Sequence, residues 1–162
     1  MINLNILTLL PLLRGWVYSP KDVDKPFTVP KGQEKQIAKE DRPGWFITAM
    51  ISLSDPYAEL VFRYLDPYKG IIETNMRPYA LKEAGLTVPS PMGIWCSRYD
   101  DSAKVYVVNY SPALWFPIPS QSEILVRSSP LADLTVYNYS HVLVVIRDIQ
   151  LFRESLSEIL KS

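Results

Sequence analysis

Residues 44–70, GWFITAMISLSDPYAELVFRYLDPYKG, carry the pattern that decides the fold. Apolar and polar residues alternate through 45–53 and again through 58–65, and this period of two is typical of strands with one buried face. Asp-Pro pairs interrupt the alternation, and both residue types favour turns. The stretch therefore predicts two antiparallel strands joined as a hairpin. The residues expected on the buried faces are Ile47, Ala49, Ile51, Leu53, Leu60, Phe62 and Tyr64.

Strand patterns recur at short spacing after this stretch. They lie at residues 71–74, 94–99, 104–110, 123–127, 134–139 and 142–147. The pair at 94–99 and 104–110 flanks a polar turn and predicts a second hairpin. Residues 113–119 hold Trp115 and Phe116 between prolines, which predicts an apolar loop rather than a central strand. The whole pattern predicts a mainly β chain, folded as an antiparallel β-sandwich or a jelly roll.

Two helices are predicted among these strands. Residues 75–84 show helical spacing of apolar residues, with Asn75 as a possible cap and Gly85 placed to end the helix. Asp148 is expected to cap a C-terminal helix with one apolar face. The residues of that face are Ile149, Phe152, Leu156, Ile159 and Leu160.

An extended arm is predicted ahead of the sandwich. Residues 2–13 are strongly apolar, whereas residues 21–42 are charged and contain several prolines, which favour extended backbone. We expect one or two short edge strands there, around 27–29 and 33–39. The chain then divides into an arm, 1–43, and a β-sandwich domain with its C-terminal helix, 44–162. The apolar run is shorter than the roughly 20 residues of a membrane span and lacks the features of a signal peptide.

Composition excludes several classes of protein. The 162 residues include 17 basic and 17 acidic ones, and a net charge of zero argues against a dedicated nucleic-acid binder, which needs a basic face. One cysteine and one histidine can form neither an internal disulfide nor a Cys/His zinc site. We therefore expect no catalytic residue, no cofactor and no metal.

The isolated polar residues have simple structural interpretations. Asp55, Asp66, Asp100 and Asp101 all lie in predicted turns, where aspartate is favoured. The Asp100-Asp101 pair is the best candidate for binding calcium, although no further acid lies near it in sequence. His141 is expected to be a hydrogen-bonded histidine at a strand end, with a pH-responsive role as the alternative. Cys96 is expected to be a small buried residue.

The distribution of charge points to a protein interface. Between Val105 and Ile146 only Glu123, Arg127 and Asp133 are charged, and charge is depleted at the centre of interfaces. The apolar arm also needs a surface on which to bury its side chains. We therefore expect docking onto other copies of the chain or onto other proteins. The candidate interface residues are Ile2, Leu4, Ile6, Leu9, Leu10, Leu13, Trp115 and Phe116.

Two other functions remain open at this point. Aromatic rings at the rim of a sandwich can stack on sugars, which makes a carbohydrate-binding module the alternative, with Trp45, Trp95 and Tyr99 as its platform. A small hydrolase or isomerase on a jelly roll ranks last, because the chain lacks the histidine cluster that such metal sites need.

The layout resembles that of small β-sandwich or jelly-roll structural proteins of virus and phage particles. The segments that carry the resemblance are the arm at 2–42, the hairpin at 45–65 and the strand-to-helix end at 142–160. It implies a capsid-associated, decoration or tail protein in the virion, or in the cytoplasm of the producing cell, with no cofactor and no turnover. No functional residue is carried over, because no motif in the chain is specific to that family.

Overall fold

The computed structural model describes residues 12–89, 93–111, 116–118 and 120–161. Within these ranges the chain forms eleven strands and two helices, with no membrane-spanning helix among them. The elements are β1 (Trp16–Val23), β2 (Phe27–Val29), β3 (Glu34–Glu40), β4 (Gly44–Leu53), β5 (Glu59–Asp66), β6 (Gly70–Met76), α1 (Pro78–Glu83), β7 (Ile94–Asp100), β8 (Val105–Tyr110), β9 (Phe116–Ile118), β10 (Ser122–Arg127), β11 (Leu134–Ile146) and α2 (Ile149–Lys161).

The strands form two antiparallel sheets, which confirms the mainly β prediction. The larger sheet has the order β1-β11-β4-β8-β7, with β2 added beside β11 and β9 beside β4. The smaller sheet has the order β3-β10-β5-β6. We renumber the eight strands other than β2, β7 and β9 from 1 to 8 along the chain. The larger sheet then has the order 1-8-3-6, and the smaller sheet has the order 2-7-4-5. This is the strand order of a jelly roll.

The predicted hairpin between β4 and β5 is wrong. β4 pairs with β11, β8 and β9 in the larger sheet, whereas β5 pairs with β10 and β6 in the smaller one. The connection through Asp55 and Pro56 therefore crosses from one sheet to the other. Both arrangements turn one face of each strand to the core, so the alternation of residues could not tell them apart.

One predicted hairpin is present, and the turn predicted around Asp66 closes another. β7 pairs with β8 around the turn at residues 101–104, as expected for the second hairpin. β5 pairs with β6 from Leu60 opposite Met76 to Asp66 opposite Gly70. Asp66 closes that turn, because its Oδ1 accepts hydrogen bonds from the Tyr68 and Lys69 amides, each at 2.8 Å.

Sequence patterns missed the first strand and divided the last. β1 was not predicted, yet all eight of its residues pair with β11. It lies at a sheet edge, where charged residues and proline are tolerated, so its sequence does not alternate clearly. β11 is one strand of 13 residues where two were predicted, and Ser140 and His141 lie within it.

The predicted loop at 113–119 also needs correction. Residues 116–118 form β9, which pairs with Gly44–Phe46 at the start of β4. Among the described residues β9 pairs with β4 alone, and Pro117 can occupy such a strand because it need not donate to a second one.

The main core lies between the two sheets. Ala49, Ile51 and Leu53 of β4 face it as predicted, but Phe46 takes the place expected for Ile47. A register shift in the pairing of β4 with β11, between Val142 and Leu143, accounts for the change of face. The Phe46 ring stacks against two other aromatic rings, Phe62 and Tyr110, with both centroid distances 4.9 Å.

A second apolar cluster lies on the outer side of the larger sheet, where α2 covers it. We call this the helix face; its buried members are Leu13, Ile146 and Phe152, with Trp16 and Trp45 packed against them. Asp148 caps α2 as predicted, since its Oδ1 accepts a hydrogen bond from the Leu151 amide at 2.9 Å.

Gly15 ties the N-terminal segment to α2. Its carbonyl accepts hydrogen bonds from the Arg147 and Asp148 amides at 2.8 and 2.9 Å. Its φ of +80° suits glycine, and a Cβ there would lie 2.4 Å from the Asp148 carbonyl oxygen. Gly15 therefore permits the close approach that brings Leu13 onto the helix face.

The outer side of the smaller sheet is covered by charged side chains instead. We call it the ion-pair face; its members are Glu34, Glu59, Arg63, Glu73, Arg77, Glu123 and Arg127. Arg127 contacts three carboxylates, Glu34 at 3.0 Å, Glu59 at 2.8 Å and Glu73 at 2.9 Å. Each of these glutamates stands on a strand that brings its side chain to this outer side.

The low charge between residues 105 and 146 has a structural cause. β8, β10 and β11 of this stretch each lie between two other strands, so most of their side chains are buried. Two of its three charged residues, Glu123 and Arg127, belong to the ion-pair face. The scarcity of charge reflects the inside of the sheets, and a protein interface is not needed to explain it.

Candidate functional site

A cleft lined by tyrosines opens at one end of the sandwich. It has a volume of about 550 Å³. The elements that meet there are the connection from β4 to β5, helix α1, the β7–β8 hairpin and the residues just before β11. We call it the tyrosine cleft; its aromatic residues are Tyr57, Tyr79, Tyr99 and Tyr106.

The four rings form two pairs. Tyr57 and Tyr79 lie 4.9 Å apart between centroids, tilted by 39°, and both are well exposed. Tyr99 and Tyr106 lie 4.8 Å apart in an edge-to-face contact, and Tyr106 is fully buried. One pair thus presents ring surface to solvent, while the other forms an ordered wall behind it.

Helix α1 brings both an aromatic ring and a cation to the cleft. Tyr79 and Lys82 lie three residues apart on it and so project to one side. The Lys82 Nζ stands 4.4 Å from the centroid of the Tyr99 ring, which is cation–π geometry. The Tyr79 amide donates to the Pro56 carbonyl at 2.9 Å, which fixes the helix against the β4–β5 connection.

Asp101 holds the inner wall in place. Its Oδ1 accepts a hydrogen bond from the Tyr106 hydroxyl at 2.7 Å. Burial, and after it this hydrogen bond to Asp101, raises the pKa of Tyr106 well above its usual range. Burial and the charge of Asp101 also raise the pKa of Tyr99. Both phenols therefore keep their protons at neutral pH and remain hydrogen-bond donors.

Asp55 shapes the floor of the cleft. It is 7% exposed, and its Oδ1 accepts a hydrogen bond from the Tyr57 amide at 2.9 Å. Its Oδ2 accepts from the hydroxyl of Ser129 at 2.5 Å. This carboxylate fixes the turn that presents Tyr57, which agrees with the sequence-based interpretation of Asp55 as a turn residue.

The cleft combines ring faces with charged and polar groups at its edge. Lys82, Lys104, Asp101 and Asp133 line it together with the tyrosines. Such a site suits a ligand with one apolar face and several hydroxyl groups, because rings contact the face and the polar groups exchange hydrogen bonds with the rim.

The predicted sugar-stacking residues are not brought together. Tyr99 lines the cleft. Trp45 packs near Phe152 on the helix face, with 6.0 Å between ring centroids. Trp45 pairs with Pro117 and Leu53 with Tyr106, so eight positions of β4, roughly 26 Å, separate Trp45 from the cleft. Trp95 lies between the core-facing Ile94 and Cys96, and therefore on the opposite face of β7.

The predicted interface residues have different positions. Leu13 is buried against Ile146 and Phe152 of its own chain, so the prediction that it faces a partner is wrong. Ile2, Leu4, Ile6, Leu9, Leu10 and Trp115 lie outside the described residues. Of Phe116 the structure describes the backbone, which pairs with Phe46.

Asp100 and Asp101, the candidate calcium ligands, both take part in local hydrogen bonds. Asp100 contacts Arg98 at 2.9 Å and accepts from the Ala103 amide at 2.9 Å. Asp101 accepts the hydrogen bond from the Tyr106 hydroxyl. No group of three His, Cys, Asp or Glu side chains arranged for a metal ion occurs among the described residues.

The remaining candidates are held inside the sandwich. Cys96 is buried, its thiol donates to the Arg98 carbonyl at 3.1 Å, and burial raises its pKa. His141 is also buried, and its Nδ1 lies 2.8 Å from the Tyr139 hydroxyl. The histidine is hydrogen-bonded as predicted, but within β11 rather than at a strand end.

The sequence marks Tyr99 as a sugar-stacking candidate but does not mark its neighbours in the cleft. Tyr106 stands between Val105 and Val107 in a largely apolar strand and has the pattern of an ordinary core residue. Tyr79 and Lys82 carried a usable signal, since they lie three residues apart on a predicted helix, but their partners in β7 and β8 lie far away in sequence.

No protein-family model matches this chain, and no curated protein is significantly similar to it in sequence.

Proposed function

We propose that this chain is a non-enzymatic structural protein that assembles with other copies of itself or with other proteins of a virus or phage particle. The strand order 1-8-3-6 and 2-7-4-5 is the observation that carries the proposal. Capsid proteins use the jelly roll, and so do lectins, so the fold supports this role by analogy.

The start of the chain supports the same role. Residues 2–10 are mostly apolar, and they lead directly into Leu12, which is 61% exposed, and Leu13, which is anchored on the helix face. An apolar segment that begins beside an anchored residue is suited to bury its side chains on a neighbouring subunit.

Removal of residues 1–11 tests this role. Mass photometry of the full chain is expected to show oligomers, and the shortened chain is expected to be monomeric with an unchanged circular dichroism spectrum. Leu131→Ala, at an exposed leucine on the β10–β11 connection, is the control and should assemble normally. A full chain that stays monomeric at every concentration, or a shortened chain that still assembles, would contradict the proposal.

The tyrosine cleft favours a second candidate function, carbohydrate binding. Tyr57, Tyr79 and Tyr99 offer ring surface in a concave site whose rim carries carboxylates and ammonium groups. A sugar ring presents an apolar face and a hydroxyl edge, and this cleft offers a partner for each. Receptor binding by a particle protein would combine both functions.

A glycan array followed by calorimetry tests the second candidate. For any sugar that binds, Tyr57→Ala and Tyr99→Ala should each weaken binding about tenfold, the equivalent of about 1.4 kcal/mol. Tyr68→Ala is the matched control, because Tyr68 is 95% exposed at the tip of the β5–β6 turn, outside the cleft. An array without binding, or affinities unchanged in both cleft variants, would exclude this function.

A further inference from the structure

A second cavity lies between the two sheets, at the side of the sandwich where the edge strands β1 and β3 face each other. Its volume is about 240 Å³, roughly eight times the share of liquid volume that one water molecule takes. It shares no lining residue with the tyrosine cleft.

The larger sheet contributes a histidine and a lysine to this cavity. Lys21 of β1 stands directly opposite His141 of β11, and Ser19 stands opposite Leu143. Residues directly opposite each other in a sheet project to the same side, so all four turn toward the space between the sheets. His141 is 4% exposed, and Lys21 reaches outward at the mouth of the cavity.

The smaller sheet contributes a serine on the other wall. Ser122 of β10 stands opposite Glu40 of β3, and Ile124 opposite Ala38. Ser122 is 2% exposed, and its hydroxyl has no hydrogen-bond partner among the described residues. A buried hydroxyl without a partner loses free energy relative to one that is hydrogen-bonded, so this group is available to a ligand.

The second nitrogen of His141 is also available. Its Nδ1 is engaged with the Tyr139 hydroxyl, and the described part of the chain offers no partner to Nε2. Burial raises the pKa of Tyr139, so the phenol keeps its proton, and the same described part offers that proton no acceptor other than Nδ1. Tyr139 therefore donates, and Nε2 carries the ring hydrogen.

The charges around the cavity favour an anion. Glu40 is paired with Arg42 at 2.7 Å, and Lys39 with Asp41 at 2.9 Å. Of the charged residues that line the cavity, Lys21 is the one with no ion pair among the described residues. Burial, and after it the Lys21 ammonium, lowers the pKa of His141 to about 4 against the opposing charge of Asp22, the next residue of β1, so the ring is neutral at pH 7.

We infer that this cavity binds a small organic carboxylate, which accepts hydrogen bonds from His141 Nε2 and the Ser122 hydroxyl and pairs with the Lys21 ammonium. The aliphatic part of the ligand lies against Ile124 and Leu143. Packed sheets stand about 10 Å apart, so one small molecule can reach the groups on both walls.

Nuclear magnetic resonance offers a direct test, because His141 is the only histidine and its ring signals need no assignment by mutation. The full chain is titrated at pH 7 with sodium butyrate, with butyramide as the neutral probe of the same shape. Butyrate should give a saturable shift of the ring signals with a Kd of about 1–10 mM, and butyramide should bind at least tenfold more weakly. The ring ¹⁵N shifts should show hydrogen on Nε2.

Two variants and one control complete the test. Lys21→Met and Ser122→Ala should each weaken butyrate binding by about fivefold to tenfold while the spectrum stays that of a folded protein. Lys25→Met is the matched control, since Lys25 is an exposed lysine outside the cavity. The absence of a saturable shift, equal binding of butyramide, a ring hydrogen on Nδ1, or full affinity in Lys21→Met would each overturn the inference.

Discussion

The two outer surfaces of the sandwich are covered by opposite means. On the helix face, α2 and the N-terminal segment pack against the larger sheet. Ile146 of the sheet and Phe152 of the helix are buried there among aromatic and aliphatic side chains. On the ion-pair face, no helix lies over the smaller sheet among the described residues, and seven charged side chains cover it instead.

The comparison shows that charged residues can also exclude water from apolar ones. Val61 is fully buried and Leu125 is 4% exposed, although both lie on the ion-pair face, directly opposite each other. The pairs of Arg63 with Glu123 and of Arg127 with Glu59 stand on either side of them. Arginine stems can cover apolar surface while their guanidinium groups bind carboxylates, and the register places two arginines beside this pair.

The largest loss of stability is expected from a substitution on the helix face. Phe152→Ala removes a buried ring that contacts Trp45 and leaves a cavity, so the free energy of unfolding should fall by about 3–4 kcal/mol in urea denaturation. Tyr68→Ala, at an exposed ring, should change it little. A loss below about 1 kcal/mol would mean that α2 contributes little to the fold.

The next largest effect is expected on the ion-pair face. Glu59 is 4% exposed and accepts hydrogen bonds from Arg77 and Arg127. Glu59→Gln removes the negative charge that balances these two guanidinium groups. We expect a loss of about 2 kcal/mol, less than for a fully buried pair, because both arginines are partly exposed and Arg127 keeps Glu34 and Glu73. Glu158→Gln is the exposed control. Equal losses in the two variants would remove the distinction between the ion-pair face and an ordinary surface.

Acid should weaken the protein through two separate sets of groups, the carboxylates of the ion-pair face and His141 between the sheets. Hydrogen bonds from Arg127 to Glu34 and from Arg63 to Glu73 lower the pKa of each carboxyl below its ordinary value of 4.5. These pairs therefore stabilise the protein above about pH 4.5, and the contribution is lost as the pH falls through the lowered values. His141 contributes a separate loss between pH 6.5 and about 4, because its neutral form is favoured in the fold.

Glu34→Gln separates these two contributions. Stability curves of the variant and the parent chain should run parallel from pH 7 to about 5, where His141 acts alike in both, and converge below pH 4.5. Curves that stay parallel down to pH 3 would show that Glu34 adds no acid-sensitive stability.

The smallest loss of stability is expected from removing the ion pair between Arg14 and Glu158, at the edge of the helix face. Arg14 contacts Glu158 at 2.9 Å, but both side chains are more than half exposed. Arg14→Ala should therefore cost about 0.5 kcal/mol or less, and added salt should remove the difference. A larger loss would mean that the arginine stem also packs on α2.

The sequence predicted strands well and their partners poorly. Period-two alternation located β4 and β5, and Asp148 located the start of α2, because these signals lie within a few residues. The partner of β4 is β11, almost a hundred residues away, and no local pattern encodes that choice. The tyrosine cleft and the His141 cavity were missed for the same reason, since each is built from side chains of several distant strands.

The pairing of β1 with β11 has a consequence for the timing of folding. Trp16 stands opposite Ile146, so 130 residues separate the two members of a single strand pair. Among the described strands only β11 pairs with β1, so during synthesis the edge of β1 stays open until β11 leaves the ribosome. Contacts so distant in sequence slow folding and leave the nascent chain prone to aggregation. The last strand to be made thus completes the sheet that the first strand begins.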